Sequence, residues 1–311
     1  MSRPVPPDPA PSDDRPAAVN RPVPPDPATA GDRPAAVPPS GFAPTLPAWA
    51  EAFAADHRAD LRRIAPFGSV DRAWAFGPGD GAGITVAVID SGVEGTHPAL
   101  GGALRESVRV EVDGEDTTVV EDDAVDLVGH GTACAGIVHE LAPAASLVSV
   151  RVLGSDNRGK GLAFAAGLDW AIARGASVVN LSLSSRSEAM YATLHDLADR
   201  AYFANCLLVC AANNVAIASY PSLFAAVVSV AAHDVRDAET WFYNPRPPVE
   251  FGAYGLDVEV AWRDGSRIVA TGNSFAAPHI AGLAARIRAA HPGATPFEVK
   301  TILAATATQP G

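Results

Sequence analysis

Five times between residues 84 and 232 the chain returns to a short, nearly continuous apolar run. These are ITVAVI (84–89), SLVSVRVL (146–153), SVVNLSL (177–183), LLVCAA (207–212) and AVVSVAA (226–232). Each is rich in Val, Ile or Leu, as strands buried on both faces are. Between and after them lie longer stretches whose apolar positions recur at helical spacing: GLAFAAGLDWAIARG, SEAMYATLHDLADRAYF, SFAAPHIAGLAARIRAA and PFEVKTILAATA. Strand alternating with helix predicts an α/β fold, a parallel sheet covered on both sides. In such sheets function sits at the carboxyl ends of the strands.

The pattern begins only near residue 67. Residues 1–40 hold 13 of the 27 prolines and repeat themselves, RPVPPDPA at 3–10 returning at 21–28 and DRPAAV at 14–19 returning at 32–37. This Pro/Ala-rich arm has no apolar face to stack and is expected to be disordered and extended. Residues 41–66 read as a linker with a short helix over 48–64, where Trp49, Phe53, His57 and Leu61 fall at four-residue steps. The main domain is expected to span 67–311.

Hydrophobic residues make up 48% of the 311 positions, enough for a sizeable core, and the net charge is −12. So acidic a chain argues against nucleic acid or an anionic membrane surface as its partner. No apolar run is long enough to span a bilayer, and the amino terminus shows no secretory h-region. Cys134, Cys206 and Cys210 do not form a disulfide framework; four residues of strand would hold the last two about 13 Å apart. Free, buried thiols suit a reducing compartment, and a cytoplasmic location is the expectation.

Three polar clusters interrupt the apolar runs. In VAVIDSGVEGTHPAL, Asp90 follows the first strand directly, so its carboxylate emerges at the strand's carboxyl end. A turn-forming Asp would look the same. In VGHGTACAGIV, His130 stands between two glycines and opens an apolar helix; the glycines allow close backbone approach and little shielding of the ring. In TGNSFAAPHIAG, Ser274 begins a helix whose Ile280, Leu283, Ala284 and Ile287 face a core. It is either the helix cap or a nucleophile beside unpaired amide donors. Acid, imidazole and hydroxyl together are the inventory of acyl transfer.

These segments resemble the subtilisin-like serine proteases. DSG at 90–92, HGT at 130–132 and GNSFAAP at 272–278 match that family's three motifs, in its order Asp, His, Ser. The resemblance covers some 240 residues. It implies a three-layer α/β fold with a mainly parallel central sheet flanked by helices. It implies a serine endopeptidase acting on a peptide or protein substrate through Asp90, His130, Ser274 and an acyl-enzyme. It also implies an oxyanion-stabilising Asn at Asn214 in VCAANNVAIASYP, and substrate pairing along Ser182, Leu183 and Ser184 in NLSLSS. No cofactor is implied.

The departures are specific. Asn213 replaces the usual Gly and competes with Asn214 for the oxyanion role. Asn273 replaces the usual Thr and is expected to tune the site. The segment after His130 lacks the loop that carries the tight calcium site of secreted relatives, so no metal is expected there. Asp122, Asp123 and Asp126 read as an acidic solvated loop. Ser184, Val215 and Ser219 are candidates for the specificity pocket, with a lean to apolar side chains. Cys134, His97 and His279 read as structural. A dedicated intracellular peptide-maturation role is one narrower expectation. The alternative is a catalytically silent binding or regulatory protein. Oligomeric state is left open.

Overall fold

The computed structural model describes residues 70–309 with the exception of Pro247; the expected arm and the helix over 48–64 lie outside the described residues. The chain opens with a short helix α1 (Arg72–Phe76) and the first strand β1 (Thr85–Asp90). An antiparallel hairpin follows, β2 (Leu104–Asp113) and β3 (Asp116–Glu121), then α2 (His130–Leu141) and β4 (Ser146–Arg151). Helix α3 (Gly161–Ala173), β5 (Val178–Leu181), α4 (Tyr191–Phe203), β6 (Leu207–Ala211) and β7 (Val228–His233) continue the alternation. Four further strands, β8 (Trp241–Tyr243), β9 (Phe251–Tyr254), β10 (Val258–Trp262) and β11 (Ser266–Ala270), precede α5 (Asn273–Ala290) and α6 (Pro296–Ala305).

Nine strands form one sheet in the order β3-β2-β4-β1-β5-β6-β7-β9-β8, parallel except at its two outermost pairs. The predicted α/β class holds, with a mainly parallel sheet flanked by helices. The reason is legible in β1. Val86 and Val88 join a core with α2 and α5, while Ala87 and Ile89 face the opposite core with α3 and α4. Successive side chains of a strand point to opposite faces, so an unbroken apolar run demands two covers. The strands at the carboxyl-terminal edge of the middle, β1, β5 and β6, end at Asp90, Leu181 and Ala211. Strand order reverses beside β1, where this class of sheet opens a crevice.

The hairpin β2–β3 was not among the expected strands. Its faces are mostly half-buried or exposed, and its sequence, LRESVRVEVDGEDTTVVE, mixes charge into the apolar positions as a sheet edge does. A small third core, including Ala133 and Ile137 of α2, Val258 and Val260 of β10, and Phe275 of α5, holds the two-stranded β10–β11 ribbon against the helices.

Candidate active site

Asp90 closes β1 and is fully buried. One carboxylate oxygen accepts from the Ser91 amide at 2.7 Å, and both face His130 Nδ1, at 2.8 and 2.9 Å. A ring nitrogen between two carboxylate oxygens carries the proton, which leaves Nε2 as the lone-pair side. Burial alone would lower the His130 pKa. The charge of Asp90, its hydrogen bond and the charge of Asp126 together outweigh burial and raise it.

The glycines around His130 allow the close backbone approach expected of them, and the structure shows what approaches. A Cβ on Gly129, which sits at φ +111°, would lie 2.5 Å from the Trp262 ring, and one on Gly131 would lie 2.0 Å from the Gly92 carbonyl. They let the start of α2 pack against β10 and against the loop after Asp90.

Asp126 organises that junction. Its Oδ1 accepts from Ser91 Oγ and from the amides of Val128 and Gly129, at 2.7–2.9 Å; its Oδ2 accepts from the amide and hydroxyl of Thr132 at 2.8 and 2.7 Å. A carboxylate at the amino end of α2 also meets unpaired amides and the positive end of the dipole. Asp122 is engaged as well, bidentate to Arg151 at 2.9 and 2.6 Å with its side chain 2% exposed. The expected solvated acidic loop is therefore corrected for these two residues. The sequence signal for Asp126 was present, an acid four residues ahead of His130, but beyond the local amides of Val128 and Gly129 its partners come from Ser91, in the loop after Asp90, and from Thr132 of α2.

Ser274 is the second residue of α5, and the cap position belongs to Gly272, so Ser274 is not the helix cap. Its hydroxyl donates to the Ser182 carbonyl at 3.3 Å rather than to His130. Its carbonyl accepts from Ser182 Oγ at 2.7 Å, which in turn accepts from Asn180 Nδ2 at 3.0 Å. Cys134, one turn after His130 and fully buried, sends its thiol to Ser182 Oγ at 3.2 Å. Burial first, then the nearby charges of Asp90 and Asp126, push that thiol's pKa well up. A thiol held protonated is no nucleophile. Although Asp90, His130 and Cys134 bring potential metal-ligand atoms within 4.8 Å of one another, that thiol would first have to lose its proton to bind an ion.

Two asparagines follow β6, and the structure separates them. Asn213 turns its Oδ1 back to the Val215 amide at 2.9 Å, an Asx turn. Asn214 accepts from the Asn273 amide at 2.9 Å, which points its carbonyl oxygen at α5 and leaves Nδ2 without a hydrogen-bond partner among the described residues. Asn273 is a strut: its side chain accepts from Ala232 of β7 and donates to the carbonyls of Ala212 and Asn213. It braces the Asn214 loop, which is how it bears on the site.

His130, Ser274, Asn213, Asn214 and Ser182, Leu183 and Ser184 line one cavity of about 790 Å³. Ser182 enters it with its hydroxyl turned inward, beneath Ser274. Val215 and Ser219 do not line it: Val215 is 63% exposed, and Ser219 is buried with its hydroxyl on Ser222. His97 bridges its own loop and Ser266, and His279 is a buried imidazole bonded to the Phe275 carbonyl, its pKa lowered by burial to about 4. Both are structural as expected. Cys134, Cys206 and Cys210 are buried free thiols.

Known proteins share this arrangement of elements. The profile of the subtilase family matches residues 81–311. Subtilisin BL of Lederbergia lenta is 34% identical over 245 residues, covering 74% of this chain and 86% of its own length. Subtilisin DY of Bacillus licheniformis is 30% identical over 246 residues, with the same coverage of 74% and 86%. Among solved structures, Sphericase superposes with a TM-score of 0.62 at 26% identity, over 72% of this chain and 82% of its own. A cold adapted subtilisin-like serine proteinase gives 0.56 at 27% identity, over 76% and 90%. By profile, sequence and fold alike, the chain belongs to the subtilase family and is a subtilisin-like serine protease.

Proposed function

We propose that Asp90, His130 and Ser274 are the catalytic triad of a serine endopeptidase, with Asn214 as its oxyanion donor. The observation that carries this is the buried Asp90 facing His130 Nδ1 with both oxygens, with Nε2 left as base in the cavity that also holds Ser274. Rotation of the Ser274 hydroxyl from the Ser182 carbonyl toward His130 starts the reaction; such bonds commonly tighten only with substrate bound. His130 takes the proton as Ser274 Oγ bonds to the scissile carbonyl carbon. The negative oxygen that forms is received by Asn214 Nδ2 and the Ser274 amide at the amino end of α5. His130 then returns the proton to the leaving amine, and water repeats the sequence on the acyl-enzyme. Asp90 keeps Nδ1 protonated and stabilises the imidazolium.

Fluorophosphonate labelling followed by intact mass, wild type against Ser274→Ala, tests the assignment. One adduct on wild type and none on the variant is expected, with peptide hydrolysis falling roughly 10⁶-fold, the scale known for a subtilisin nucleophile. A folded wild type that takes no label would instead favour a silent, binding role for the fold. The proposal includes work in a reducing compartment, supported by the three buried free thiols; cell fractionation tests that part.

A further inference from the structure

The chain carries 35 acidic and 23 basic residues, yet the cavity around Ser274 has the opposite character. Its lining includes Arg158 and Lys160 from the loop between β4 and α3, and Arg186 from the loop after β5; among the described residues no Asp or Glu lines it. All three cations are exposed. None makes an ion pair among the described residues, whereas Arg109, Arg151, Arg174, Arg200, Arg236 and Lys300 elsewhere each meet a carboxylate. The acids nearest in sequence do not neutralise them. Asp156 accepts from the Arg158 backbone amide, which turns its carboxylate to its own loop, and Glu188 does not line the cavity. Three solvated cations on two facing loops are the surplus that an anionic ligand neutralises on arrival.

Resting on the assignment of Ser274 as nucleophile, we infer that this protease prefers acidic peptides, with Asp or Glu placed within a few residues of the bond to be cut. The cations enter from the segments beside Ser182–Ser184, and none enters from 211–214. An extended chain rises about 3.3 Å per residue, so a segment passing Ser274 brings several side chains past both loops. Exposed pairs are individually weak, so the three together are worth roughly ten-fold in selectivity. A basic segment meets like charge and is disfavoured. Of Ser184, Val215 and Ser219, on which an apolar preference for the residue before the cut would rest, only Ser184 lines this cavity.

The test uses the full-length chain and a randomised peptide library read by mass spectrometry. The expected result is enrichment of Asp and Glu over Lys and Arg by about ten-fold at one or more positions near the cut, eroded between about 0.05 and 0.5 M salt. The triple variant Arg158→Ala, Lys160→Ala, Arg186→Ala should still cleave neutral peptides and lose the enrichment. Replacing all three by Glu should invert it. Neutral peptides cleaved with no acidic enrichment, or with basic enrichment, overturn the inference and leave the triad standing. A folded chain with neither label nor cleavage would overturn the triad first. The charge preference is then judged on its own, by anisotropy of one acidic and one basic labelled peptide on Ser274→Ala. Tighter binding of the acidic peptide upholds it, and equal binding overturns it.

Discussion

The two sides of His130 are built by opposite rules. On the Asp126 side the loop carboxylates that matter are engaged: Asp126 accepts five hydrogen bonds and Asp122 is clamped by Arg151. On the Ser274 side, Arg158, Lys160 and Arg186 stand exposed with no ion-pair partner among the described residues. Groups that set the orientation and pKa of a base must already be in place when the reaction starts, because reorganising them would cost energy at the transition state. Groups that recognise a substrate are more useful unpaired, since a pre-existing partner would have to be displaced.

The largest expected break in that contrast is at the oxyanion. Asn214→Ala should lower kcat by about 10²–10³ with little change in KM, the scale known for a subtilisin oxyanion donor, because its amide meets charge only in the transition state. Asn213→Ala should cost far less, since its side chain serves its own turn. A steady-state comparison of the two variants decides between them. Equal losses would remove Asn214 from the role.

Next is the packing under the base. Gly129→Ala places a methyl into the Trp262 ring at a backbone angle that disfavours side chains, so roughly 2–4 kcal/mol of stability should be lost. Thermal unfolding would show it as a drop in Tm, and an unchanged Tm would refute the account of this glycine.

Then comes the charge. As the proposed base, His130 acts in its neutral form, so kcat/KM should rise with pH through a midpoint above the ordinary histidine value of about 6.5. Asp126→Asn removes a charge that raises this pKa, and the midpoint should move to lower pH while activity at the plateau falls about ten-fold from the loosened loop. A fall in plateau with no movement of the midpoint would make Asp126 a structural brace only. The smallest effect belongs to the exposed side: Arg158→Ala alone should change cleavage of an acidic peptide by only about two- to five-fold, and of a neutral one hardly at all.

Much of this was legible in the residues. Buried-strand runs showed the parallel sheet, because burial on both faces forces an unbroken apolar pattern. Asp90, His130 and Ser274 stood out because polar residues ended or interrupted such runs, and their motifs carried the family resemblance. The edge hairpin β2–β3 was missed, since a strand half open to water mixes polar and apolar residues and loses the periodic signal. Asp126 was read as part of a solvated loop for a similar reason. A carboxylate in a charged stretch looks the same whether water or five protein donors surround it.

The sequence by itself determined the strand and helix alternation, the free thiols and the three chemical groups, because these depend on composition and local spacing. Only the tertiary structure decided which of Asn213 and Asn214 contacts the start of α5, which groups approach the glycines beside His130, and that three cations share one cavity with Ser274. Those are matters of orientation between segments distant in the chain. A hydrogen bond or an unpaired charge is defined by what arrives from elsewhere, and local pattern holds no record of it.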